Sequence, residues 1–476
     1  MLASHLLEML LHLVPCNDSD PWQQWRGVAL QGKPAALQNV GSKLCLSEIR
    51  EQPAKVVGLS SAACNASGSE LMMRRGSGEI ILASSGQCLE AAYERGVQGV
   101  YFLYSDCYGN GSPSYADQRF KIHRSGLVES VSLPGFCMHA DQFELPTLPV
   151  QPGAVISHGF GDMNIAFHFA NSAGLAGVCG HDSQPYHCAV QYFSGEALVP
   201  QTPESSVPYC SGCPDGWTLL YDHCKNHDEW VDVGKLPDYP RGSSKIDGVE
   251  NVYNSSVYLS RAECGTYGKN SVVNTWAMYA QMVQNPTEQI LYRDMCAADS
   301  PVPYPYESSP DPFVEAECLQ HVYGPKSKMV RTTGRPLRPP APVGKRENSR
   351  AFRQSPFLDS FDVGFDTLGY YYVPDMCQPG RSRPAKCSLL INWHGCGGLH
   401  PWDWNGTLAR YAESNGIVLL APKMKRDNNV SLSFTNAREV ARGCWDSYGQ
   451  TGEDYATKSG LHIASGWRMV QRVLGV

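Results

Sequence analysis

The stretch Cys387-Ser-Leu-Leu-Ile-Asn-Trp-His-Gly-Cys-Gly-Gly398 decides how this chain is read. Leu389 to Trp393 is a short, mostly apolar run suited to a buried parallel strand. It breaks into His394-Gly395-Cys396-Gly397-Gly398, where small residues let backbone N–H groups face a ligand. A strand ending in such a turn is the arrangement that supplies an oxyanion donor, which contributes ~3 to 4 kcal/mol to a tetrahedral transition state.

Working outward, Gly369-Tyr-Tyr-Tyr-Val-Pro-Asp-Met-Cys377 precedes this stretch, and Tyr411-Ala-Glu-Ser-Asn-Gly-Ile-Val-Leu-Leu-Ala-Pro422 and Gly443-Cys-Trp-Asp446 follow it. Together these segments resemble the extracellular poly(3-hydroxybutyrate) (PHB) depolymerases over roughly residues 352–476. The resemblance implies an α/β-hydrolase fold with a mostly parallel sheet and a serine acyl-enzyme chemistry. It also implies Cys396 as a backbone oxyanion donor, His394, Gly395 and Trp445 as substrate contacts, and disulfides Cys377–Cys387 and Cys396–Cys444.

In that fold the His-Gly loop ordinarily precedes the nucleophile, yet only about 80 residues follow His394 and none form G-x-S-x-G. One branch of the depolymerases is circularly permuted, which places the triad upstream, in 150–325. Val155-Ile-Ser-His-Gly-Phe-Gly-Asp-Met-Asn-Ile-Ala-Phe-His168 and Gln184-Pro-Tyr-His-Cys-Ala189 resemble its elbow region. Counted back from His168, the nucleophile position falls on His158 and the elbow glycines on Ile156 and Phe160. Sliding by one gives Ser157 with Gly159 and Gly161, and Gly159 as the second oxyanion donor. That slip turns the hydroxyl toward the other side of the sheet.

The acid position, after Val257-Tyr-Leu-Ser-Arg-Ala-Glu263, falls on Cys264 or Gly265, so Glu263 is the nearest carboxylate. The base is due near Asp299, before a helix over 314–325, but no histidine lies between His227 and His321. Ser157, His158, Glu263 and Asp299 therefore mark triad positions from which the family's residues have departed.

Residues 1–141 read differently. Two cysteine series, Cys45, Cys88, Cys137 and Cys16, Cys64, Cys107, step by 43 to 49 residues. Lys43-Leu-Cys-Leu-Ser47 echoes Gln87-Cys-Leu-Glu90 and Phe136-Cys-Met-His139, and Gln23-Gln-Trp25 echoes Gln118-Arg-Phe120. With short β-runs between Gly and Ser, this is an all-β unit resembling a ricin-type β-trefoil lectin that begins mid-repeat. The resemblance implies disulfides Cys45–Cys64 and Cys88–Cys107. It places the sugar-binding carboxylate on Glu90, with Tyr101 or Tyr104 to stack on a sugar and Asn110 as a further contact.

Residues 326–351 are basic and Pro-rich and read as a solvated linker between 150–325 and 352–476. A net charge of −7 over 476 residues points to neither nucleic acid nor membrane. Eighteen cysteines and N-x-S/T sequons at Asn17, Asn65, Asn110, Asn254, Asn405 and Asn429 indicate an oxidising, secretory route. Met1 to Val14 lacks a basic start and a cleavage site, so the N-terminus is expected to be incomplete. No run of about 18 apolar residues spans a bilayer. Cys210, Cys213, Cys224 and His227 have zinc-like spacing, but in a disulfide-rich chain they read as bridges, and no metal or cofactor is implied. Two readings stay open: a secreted ester hydrolase acting on polyhydroxyalkanoates and carrying a carbohydrate-binding module, or a catalytically silent glycan- or polymer-binding protein.

Overall fold

The computed structural model divides into two units, Met1–Glu144 and Leu145–Val476. It describes residues 9–16, 18–19, 23–30, 33–39, 45–49, 56–60, 71–73, 78–82, 86–92, 101–109, 115–125, 127–132, 134–141 and 144 of the first unit. In the second it describes 145–186, 231–261, 269–296, 312–345, 348–359, 364–366, 368–379, 386–395, 406–425, 443–446, 451 and 454–476.

The first unit is all-β: twelve described strands join through antiparallel pairings. Its beginning meets its end, since Met9–Pro15 pairs with Phe136–Asp141 and Cys16 is disulfide-bonded to Cys137. Trp25, buried, donates its indole N–H to the Met138 carbonyl (2.9 Å). Cys88 bonds to Cys107, 19 residues on.

The second unit is built on an eight-stranded sheet: β1 (Val150–Phe160), β2 (Leu175–His181), β3 (Ser256–Arg261), β4 (Ile290–Asp294), β5 (Ser349–Arg353), β6 (Leu368–Tyr372), β7 (Cys387–Trp393) and β8 (Ile417–Ala421). Their spatial order is β4-β3-β2-β1-β7-β8-β6-β5. β6 runs antiparallel to β8 and to β5, and all other neighbours are parallel. The chain thus enters the sheet at its centre, runs out to one edge, restarts at the other and returns to lay β7 against β1. β2, β7 and β8 are buried at every residue, as parallel strands covered on both faces must be.

Helices α1 (Met163–Ala170), α2 (Lys269–Ala280) and α6 (Leu461–Leu474) cover one face; α3 (Pro312–Val322), α4 (Lys328–Thr333) and α5 (Thr407–Asn415) cover the other. All eight residues of α1 are buried between sheet and helices. His168 fixes it by bonding Tyr279 of α2 (2.9 Å) and Ser255 ahead of β3 (3.1 Å). A disulfide ties Cys179 of β2 to Cys318 of α3, and Cys377 bonds to Cys387 at the start of β7.

The buried side of α6 is His462, Ile463, Ser465, Gly466, Met469, Val470 and Val473, with Leu461, Ala464 and Trp467 at its margin. The reason is Gly466: a Cβ there would stand 2.4 Å from the Trp393 ring, so the glycine turns inward to let helix and indole meet. The basic run 326–351, exposed or half-buried over most of its described residues, also makes local contacts. It contains α4, capped by Ser327, and then lies along α5, where Arg338 N–H donates to Asn415 (2.6 Å) and Ala341 N–H to the Arg410 carbonyl (3.0 Å). Its prolines supply the extended backbone for that contact.

Candidate functional site

β1 and β7 lie side by side and parallel, with His158 opposite Asn392 and Gly159 opposite Trp393. The turn that follows β1 and the His394-Gly395 turn that follows β7 therefore open on the same, C-terminal edge of the sheet, where open α/β sheets hold their ligands.

The turn after β1 is not an elbow at residue 158. Positive-φ backbone occurs at Gly159 (149°) and Gly161 (74°), while neither Ser157 nor His158 has it. A nucleophile elbow needs its reactive residue at the strained apex between strand and helix. Here the strand continues past the serine to Phe160, and α1 starts only at Met163. Gly159 is obligatory, because a Cβ would lie 2.2 Å from the Trp393 carbonyl oxygen. Its own carbonyl accepts from the Asn164 amide (3.0 Å).

Ser157 is consequently a strand residue facing α1. It is fully buried, donates to the Asn164 carbonyl (3.0 Å) and accepts the Trp393 indole N–H (3.1 Å). Both bonds of that hydroxyl go to Asn164 and Trp393, and neither is to a histidine.

His158 points to the opposite face and heads a hydrogen-bonded row across four strands. Asn392 Oδ1 can only accept, so His158 Nδ1–H donates to it (2.7 Å). His158 Nε2 then accepts from His181 Nε2–H (3.2 Å), and His181 Nδ1 accepts the Ser260 hydroxyl (2.7 Å). A proton added to His158 would set N–H against N–H. Burial holds His158 down at about 4 against the ordinary 6.5 and pushes His181 well below it, the neighbouring His158 adding to the effect. Both rings are neutral near pH 7, with every ring nitrogen engaged. Sequence reasoning missed this row because its members come from four separate strands; only the polar residue near each strand end signalled it.

His394 is likewise occupied. Its Nδ1–H donates to the Gly395 carbonyl (2.6 Å) and its Nε2 accepts the Met424 N–H (2.8 Å), which brackets the His-Gly turn to the end of β8. Burial, with a smaller push from the Lys423 charge, lowers it to about 4. Trp445 is 4% exposed and packs against Trp393 (4.9 Å between rings), His394 (5.1 Å) and His462 (5.5 Å), so it belongs to the aromatic core beneath the turn.

Of the other expected positions, Glu263, Asp299 and Cys396 lie outside the described residues, and with them the Cys396–Cys444 pairing; Cys444 itself is disulfide-bonded. In the first unit Asn110 and Cys64 also lie outside, while Tyr101 and Tyr104 fall in the strand Tyr101–Ser105. Glu90 is half-buried and accepts from Gln118 Nε2 (3.5 Å), whose Oε1 accepts the Tyr108 N–H (2.8 Å). Among the described residues no group of three or more His, Cys, Asp or Glu is placed to hold a metal ion, and no helix is long and apolar enough to cross a membrane.

No family model matches the chain. It is 30% identical over 245 residues to a poly(3-hydroxybutyrate) depolymerase of Delftia acidovorans, covering 48% of this chain and 44% of that one. To a polyhydroxybutyrate depolymerase of Talaromyces funiculosus it is 28% identical over 110 residues, covering 21% of this chain and 31% of the other. The chain thus spans less than half the length of these curated relatives. Among solved structures, the PHB depolymerase of Penicillium funiculosum and a PHB depolymerase variant complexed with an R3HB trimer each superpose with a TM-score of 0.51 at 19% identity, over 70% of this chain and 99% of theirs. The second unit therefore carries a PHB-depolymerase-like α/β-hydrolase fold.

Proposed function

We propose that this chain is a secreted protein that binds a polyester or a glycan through a PHB-depolymerase-like hydrolase fold, permuted so that the elbow strand comes first, and that does not cleave esters. The single observation that carries this reading is Ser157: its hydroxyl is buried against α1 and held between Asn164 and Trp393. The neutral row Asn392–His158–His181–Ser260 supports it, since it fills the edge where a nucleophile and base would meet and leaves no lone pair for a proton. The first unit is read as a ricin-type β-trefoil that adds carbohydrate binding around Glu90. Secretion is supported by the disulfides Cys16–Cys137, Cys88–Cys107, Cys179–Cys318 and Cys377–Cys387.

A second reading, a hydrolase of 3-hydroxyalkanoate esters, is favoured by the His394-Gly395 turn beside the end of β1. One experiment separates them: cleavage of p-nitrophenyl butyrate by the wild type and by Ser157→Ala, together with co-sedimentation of both on PHB granules. The expected result is sedimentation with no cleavage above buffer in either protein. Cleavage by the wild type that Ser157→Ala loses sinks the binding-only reading.

A further inference from the structure

On the opposite edge of the same sheet, where β3 and β4 begin, a cleft of about 680 Å³ opens beside Asn254. That volume is in the ~300 to 1,000 Å³ range of small-ligand sites. Its lining is polar and includes Gln284, Glu288, His321, Lys326 and Arg331. Asn254 ends a short 3₁₀ turn, Val249–Asn254, and is exposed, while Val252 behind it is buried and fixes the turn.

Asn254-Ser255-Ser256 is a sequon, and we infer that Asn254 carries an N-linked glycan whose first sugars lie in this cleft. The chemistry matches a pyranose. Amide, carboxylate and guanidinium groups of the lining are the partners that bond its ring of hydroxyls. Ser256, which supplies the sequon hydroxyl, is 6% exposed at the first position of β3, so transfer precedes the folding of that strand, as it does during secretion. The site lies across the sheet from the His394 turn, so the sugar leaves that edge open. A seated glycan would also cover the N-terminal ends of β3 and β4, where Gln289 donates to the carbonyls of Tyr253 (2.9 Å) and Ser255 (3.0 Å).

The inference rests on the secretory reading, and the test keeps the two apart. The full chain is expressed through a eukaryotic secretory pathway, and each sequon is scored by peptide mapping after amidase release in heavy-oxygen water. Asn254 is expected to be occupied, and Asn254→Gln to lose the mass of one glycan. Release from the native protein is expected to be about tenfold slower than from a Glu288→Ala, Arg331→Ala double variant, the ratio that one decade of seating equilibrium gives. Occupancy at Asn17, Asn65, Asn110, Asn405 or Asn429 with Asn254 bare overturns the inference alone. No occupancy anywhere overturns it together with the secretory reading. Equal release rates overturn the seating in the cleft.

Discussion

Lowering the pH tests the buried histidines most directly. His158, His168 and His394 sit in the second unit, neutral and fully enclosed, at about 4, about 3 and about 4 against 6.5 in an exposed chain. In each case burial is the main cause, and hydrogen bonding from Asn392 or Gly395 only partly opposes it at His158 and His394. A group whose folded value lies below its unfolded one leaves stability intact above the unfolded value. Stability is then lost as pH falls through the window between 6.5 and about 4, because the unfolded chain takes up the proton first. At about pH 5 the unfolded imidazole is almost wholly protonated and the folded one is not, which costs about 2 kcal/mol per site. Three such sites cost roughly 6 kcal/mol, comparable to the ~5 to 15 kcal/mol that holds a domain together. His181 pushes the same way. Urea unfolding followed by tryptophan fluorescence at a series of pH values between about 7 and 5 should show the midpoint falling steeply, with an uptake of about three protons on unfolding at the acid end. An uptake below one proton would refute the enclosure of these rings.

Other changes read the fold locally. Ser157→Ala removes the acceptor of the Trp393 indole N–H in a buried place, and a loss of ~1 to 3 kcal/mol is expected in urea unfolding with no change in ester cleavage. Gly466→Ala sets a methyl 2.4 Å from the Trp393 ring and should cost ~1 to 3 kcal/mol, seen as a lower melting temperature and altered tryptophan emission. Replacing both Cys377 and Cys387 by Ser opens a ten-residue loop and is expected to cost ~2 to 3 kcal/mol, so an unchanged melting temperature would count against that bridge.

Much of the second unit was legible because its signals are local. Leu389 to Trp393 and Ile417 to Ala421 are uninterrupted apolar runs, and both are buried parallel strands. The helix expected over 314–325 is Pro312–Val322. What was not legible depends on pairs far apart in the chain. The inward side of α6 is set by the Trp393 ring, which lies 73 residues before Gly466 and leaves no trace in the helix's own pattern. Cys179 and Cys318 are separated by 139 residues, and Cys16 and Cys137 by 121, so no spacing rule could join them. The 326–351 run read as linker because its composition is polar; composition does not reveal that α5 offers it carbonyl and amide partners.

The same logic explains the turn after β1. A strand-to-helix turn is fixed by where glycines can take positive φ, and in Ser157-His-Gly-Phe-Gly161 they stand two and four residues beyond the serine. The backbone therefore turns at 159–161, and the serine is drawn back into the strand. Strand periodicity then dictates that Ser157 and His158 face opposite sides. The serine meets Asn164 and Trp393; the histidine meets Asn392 and His181. Ser157, His158 and His181 are each paired, so these three leave no unpartnered buried polar group at this edge. On the binding-only reading proposed above, placing a nucleophile here would take more than moving one hydroxyl. A serine at 158 would lose the bond to Asn392 and leave His181 Nε2–H without its acceptor, and it would still lack the positive-φ apex that exposes a reactive oxygen.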